Sequence, residues 1–97
     1  MDFEFEAAAI SWRGPAPFVF VPVPPEISDE IKSVSKAITY GWGVIPATVR
    51  IGGTTFTTSL FPRQGIYLVP IKVRVQRAER VDIGDLVRVR LELDLRG

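Results

Sequence analysis

The chain contains no cysteine, no histidine and no asparagine. A cysteine nucleophile, a Ser-His-Asp triad, a histidine general base and any Cys/His zinc site are therefore excluded within it. Acid–base work is left to carboxylates, lysines, tyrosines and hydroxyls. Long apolar runs are also missing: none approaches the ~18 residues that a membrane span needs. The N-terminus, Met1-Asp2-Phe3-Glu4-Phe5-Glu6, is acidic and alternating. A secretory signal has a basic start followed by an apolar stretch, so a cytoplasmic location away from membranes is the expectation. No Gly-Lys-Ser/Thr follows Gly52-Gly53, and no GxGxxG pattern occurs, so neither phosphate-cradling loop is present and no cofactor is expected. Lysine is scarce, with nine arginines to three lysines. Together with the lack of asparagine, this bias fits a heat-adapted protein or a GC-rich genome.

What remains is ordinary for a globular protein of 97 residues, 46% hydrophobic and 24% charged. That length suits one domain, expected over residues 1–97. The net charge is +1 but uneven. Residues 1–49 hold three basic and six acidic side chains, and residues 50–97 hold nine basic and five acidic. The gradient is too mild to announce a nucleic-acid binder.

Period-two patterns dominate. Phe3, Phe5 and Ala7 alternate with acids, as in a half-buried strand. The apolar phase then shifts to Ile10 and Trp12, which predicts a bulge near Ala7–Ile10. Arg13 to Pro17 reads as a turn. Phe18-Val19-Phe20-Val21 is a continuous apolar run, as in a strand covered on both faces. Pro24-Pro25 opens a helix whose stripe is Ile27, Ile31, Val34 and Ile38, ending at Gly41 or Gly43. Ala47, Val49 and Ile51 share one face of a strand. Gly52-Gly53 is a hairpin turn, and Thr54–Leu60 is the returning strand. Pro62 to Gly65 reads as a loop, and Ile66-Tyr67-Leu68-Val69 as a further buried strand. Residues 71–80 fit a strand or a helix by periodicity. Asp82-Ile83-Gly84-Asp85 is a turn. Val87, Val89, Leu91, Leu93 and Leu95 then alternate with Arg88, Arg90, Glu92 and Asp94 in the clearest strand of the chain.

Phe20-Val21-Pro22 and Leu68-Val69-Pro70 each end a buried strand and each precede a helix-like segment, a glycine and another strand. Two similar halves, each too small for its own core, imply a pseudo-symmetric barrel. That symmetry predicts a short helix over residues 71–79, with a strand as the alternative. The expected fold is mainly β: a double-split barrel of about six strands with two short helices and pseudo-two-fold halves.

Thr58-Ser59-Leu60-Phe61-Pro62, Gly65 to Lys72 and Gly84-Asp85 resemble the family called domain of unknown function 1905. Ile51-Gly52-Gly53, Phe5-Glu6-Ala7 and the Val21-Pro22 helix entry are also similar to it. The resemblance implies a double-split β-barrel, related in shape to AbrB-like regulators and MazE-like antitoxins. It agrees with the duplication. The family has no established activity, so the resemblance assigns no catalytic residue.

Four sets of residues carry chemistry. Ser59, Arg63, Tyr67 and Lys72 flank one loop, and their two cations and two hydroxyls suit a small phosphate or carboxylate ligand. The bland alternative is a packed tyrosine ring and solvated cations. Arg74, Arg77, Arg80, Arg88 and Arg90 suit phosphate contacts to nucleic acid, although Glu79, Asp82, Asp85, Glu92 and Asp94 interleave with them. Trp12, Tyr40 and Trp42 suit either a stacked ligand or the capping of a small barrel. Glu79, Asp82 and Asp85 suit a hard cation, or more simply turn chemistry. The leading expectation is a small binding module for an anionic ligand or a protein partner, with a monomer as the simplest state. An AbrB- or antitoxin-like DNA binder is the alternative. An enzyme using Lys72 or Tyr67 as acid or base is a third reading.

Overall fold

A computed structural model describes residues 1–12, 18–38 and 45–93. The expected turn at Arg13–Pro17, the helix end at Gly41 or Gly43, the aromatic residues Tyr40 and Trp42, and Asp94 and Leu95 of the last strand lie outside the described residues, as does the side chain of Trp12. The elements are β1 (Asp2–Ala8), β2 (Ile10–Trp12), β3 (Phe18–Pro22), α1 (Pro25–Ile38), β4 (Ile45–Ile51), β5 (Thr54–Arg63), β6 (Ile66–Ile71), α2 (Val73–Glu79) and β7 (Leu86–Leu93). The strands form one curled antiparallel sheet in the order β1-β7-β4-β5-β6-β3-β2. Its two edges, β1 and β2, are consecutive in the chain but do not pair with each other, so the double-split barrel is open.

Seven strands appear instead of about six because the first one divides at Ala9. The division is not the predicted bulge. Ala9 keeps the alternation, being buried with Phe5, while Ile10 turns outward and is 38% exposed. The Ala9 N–H donates to the Asp85 carbonyl at 2.9 Å, and the Gly84 N–H donates to the Ala9 carbonyl at 2.8 Å. The strand simply changes partner there, from β7 to β3. An apolar Ile10 looked like a slipped phase because the outer face of β2, β3 and β6 is itself apolar. Phe20 and Leu68 are buried on that face, and the Phe20 and Phe61 rings meet edge-on with centroids 5.3 Å apart.

The second long strand behaves the same way. β5 pairs with β4 through Leu60 and with β6 from Phe61 onward. The two-fold relation between halves is visible in the registers. Phe5 lies opposite Val89 as Phe56 lies opposite Val49. Ile10 lies opposite Phe20 as Phe61 lies opposite Leu68. On the axis, each residue meets its own counterpart: Val21 faces Val69, and Arg50 faces Arg90.

This symmetry also explains residues 71–80. α2 occupies the place after β6 that α1 occupies after β3, and the strand alternative is excluded. Valine-rich α2 has weak intrinsic propensity. It is held by Val75, wholly buried, and by the Gln76 side-chain amide donating to the Ile71 carbonyl at 2.8 Å. Arg80 ends it in the left-handed conformation, φ 53°, and the Val81 N–H donates to the Gln76 carbonyl.

The core is the inner face of this sheet. Val49, Leu60, Val69, Val89 and Leu91 have no more than a trace of exposure, and Ile31 from α1 and Val75 from α2 plug it. β7 alternates strictly between buried and exposed residues, and β4 does the same except that Thr48 is half-buried. No helix among the described residues is long and apolar enough to cross a membrane.

Candidate functional site

The predicted loop at Pro62–Gly65 is half strand and half turn. β5 runs on to Arg63, and only Gln64 and Gly65 turn, both with positive φ (50° and 86°). That is the pattern of a two-residue hairpin. Arg63 therefore lies opposite Ile66 at the hairpin's tip.

A shallow cleft of about 180 Å³ lies between this hairpin and α1, lined by Lys32, Pro62, Arg63, Gln64, Gly65, Ile66 and Tyr67. Arg63 and Tyr67 of the predicted set thus both line it, Tyr67 as a buried residue of the hydrophobic core. Ser59 and Lys72 do not line it. Ser59 is four residues before Arg63 on the same strand, which separates them by about 13 Å. Lys72 is five residues beyond Tyr67, past the end of β6, where it occupies the N-cap position of α2. Closeness in sequence suggested a cluster, but an extended chain carries residues apart.

Lys32 was missed, and Ser28 explains how it arrives. Ser28 is 1% exposed, the one buried polar residue among those described. Its hydroxyl donates to the Val23 carbonyl at 3.0 Å and accepts the Tyr67 N–H at 3.1 Å. The Tyr67 carbonyl in turn accepts the Val23 N–H at 2.9 Å. These bonds lock the first turn of α1 onto β6. One turn later on the same helical face comes Lys32. The available signal was a small hydroxyl beside the apolar stripe, followed at the i+4 spacing by a cation.

The basic set divides. Arg74, Arg77 and Arg80 are exposed on α2 or at its end, while Arg88 and Arg90 project from the outer face of β7. Across the β1–β7 ladder, Glu6 faces Arg88 and Glu4 faces Arg90. On the β4 side, Arg90 faces Arg50, which sequence reading left out. The acidic set has structural work. The Asp85 carboxylate accepts the Asp82 N–H at 2.9 Å, closing the turn before β7, and the Glu79 carboxylate accepts the Thr54 hydroxyl at 2.6 Å, joining α2 to the β4–β5 hairpin.

None of the curated proteins compared with the chain matches it. A family model described as a domain of unknown function matches residues 5–91, which takes in β1 from Phe5, β2 to β6, β7 up to Leu91, both helices, the cleft and the β4–β7 arginines. The double-split architecture and the near-complete span of that match agree, and the chain belongs to the DUF1905 family.

Proposed function

We propose that the chain is a small binding module that holds an organic anion in the cleft between α1 and the β5–β6 hairpin. The observation that carries this reading is the convergence of Lys32, Arg63 and Tyr67 on one cleft from a helix and two strands. Two cations offer charge-assisted hydrogen bonds, and the arginine fork suits a carboxylate. Pro62 and Ile66 supply an apolar wall beside them. The ligand this chemistry fits is a small carboxylate with an apolar or aromatic body. The cleft is small and open, so the expected affinity is modest.

Calorimetric titration with benzoate tests it. Binding to the wild-type chain is expected, with about a tenfold loss in Lys32→Gln and in Arg63→Gln as one charged contact is removed from each. Ser59→Ala and Lys72→Gln should bind as the wild type does. Equal affinity in all five proteins would remove the cleft from consideration.

A further inference from the structure

We infer that a second site, on the outer face of the sheet, binds a phosphate group through Arg50, Arg88 and Arg90. Arg50 and Arg90 are counterparts in the two halves, and the β4–β7 register sets them directly opposite one another. Like charges in that position destabilise a sheet. Directly across the neighbouring ladders, Arg50 has Thr55 and Arg90 has Glu4. Arg88 is the next outward residue along β7. Continuing the β4–β7 register beyond Arg50 brings Gly52 level with it, where the Glu79 carboxylate takes the place a side chain on Gly52 would fill.

The result is a cleft of about 250 Å³ lined by Glu4, Arg50, Gly52, Arg88 and Arg90. Three guanidiniums and one carboxylate line it, and Glu6 lies across the ladder from Arg88. Arg50 is oriented by its own turn, its Nε–H donating to the Gly52 carbonyl at 3.2 Å. The same arginines also line the two neighbouring clefts, together with acids. One holds Arg50 and Arg90 against Asp2 and Glu92, and the other holds Arg80 and Arg88 against Glu79 and Asp85. The middle cleft gathers three of these arginines. Planar guanidiniums around a compact cleft match the oxygens of a phosphate. An anion between Arg50 and Arg90 also turns their repulsion into a bridge. The phosphate could belong to a small molecule or to a nucleic-acid backbone.

The test uses pyrophosphate and a short DNA duplex as separate probes of the whole chain, followed by amide chemical shifts. Saturable shifts at Arg50, Gly52, Arg88 and Arg90 are expected. If pyrophosphate alone produces them, the site takes a small ligand. If the duplex produces them too, with affinity falling steeply with salt, the site reads backbone phosphates. Arg50→Gln/Arg90→Gln should weaken binding at least about tenfold. Glu4→Gln should tighten it about threefold, since it removes the opposing charge. Pyrophosphate should raise the melting temperature of the wild type and leave that of the double variant unchanged. The inference is overturned if neither probe shifts these four amides, or if the double variant binds as tightly as the wild type. Benzoate binding at Lys32 and Arg63 is read from different amides, so either site can fail without the other.

Discussion

At the scale of single residues, small side chains fix the positions of large ones. Gly52 has φ +58°, and a Cβ there would overlap the Glu79 carboxylate. Its neighbour Gly53 has open space around it. Gly52→Ala should therefore lose about 1–2 kcal/mol from left-handed backbone strain alone, with more from displacing Glu79. Gly53→Ala should change stability by less than about 1 kcal/mol. Denaturant midpoints of the two variants check the contrast. Ser28 is a sharper case because its hydroxyl serves two buried backbone groups. Ser28→Ala leaves the Tyr67 N–H without its acceptor, a loss of about 1–3 kcal/mol. It should also weaken benzoate binding, because Lys32 is carried by the helix that Ser28 anchors. Arg80 takes the left-handed conformation without being glycine. Arg80→Gly should raise the melting temperature, a gain of up to about 1 kcal/mol, measured by thermal unfolding.

At the scale of elements, the sequence was legible wherever one face was buried and the other wet. β4 and β7 alternate in the chain as they do in the fold, and α1 starts at Pro25 as its proline pair predicts. α2 was ambiguous by periodicity and was resolved by analogy with the other half. That worked because the two halves share their registers as well as a few motifs. Ile10 misled for the opposite reason. An outward isoleucine reads as inward when its neighbours on the outer face, Phe18 and Phe20, are apolar too. The candidate site was half legible. Arg63 and Tyr67 bracket a hairpin and line one cleft, but Ser59 and Lys72 lie too far along extended chain to join them. Lys32 and Arg50 were out of reach, since their positions depend on the α1–β6 contact and on the β4–β7 register. Neither is a local property of sequence.

At the scale of the whole molecule, the two halves are interwoven. β1–β7, β3–β6, β4–β5 and β4–β7 all join residues of the first half to residues of the second. Only the short β2–β3 ladder and the β5–β6 hairpin are internal to a half. Fragments 1–51 and 54–97 should each lack the far-ultraviolet circular dichroism of the intact sheet and regain it on mixing, because neither can cover its apolar face alone. A fragment that folds by itself would contradict the shared core. The same interweaving builds the sites. The cleft joins Lys32 from the first half to Arg63 and Tyr67 from the second, and the arginine face joins Arg50 to its counterpart Arg90. The most direct test of the binding reading is an amide chemical-shift titration of the labelled chain with benzoate. Saturable shifts confined to Lys32, Arg63, Gln64, Gly65, Ile66 and Tyr67 are expected, and they should be lost in Lys32→Gln/Arg63→Gln. Unmoved amides there, or shifts that persist in the double variant, would contradict that reading.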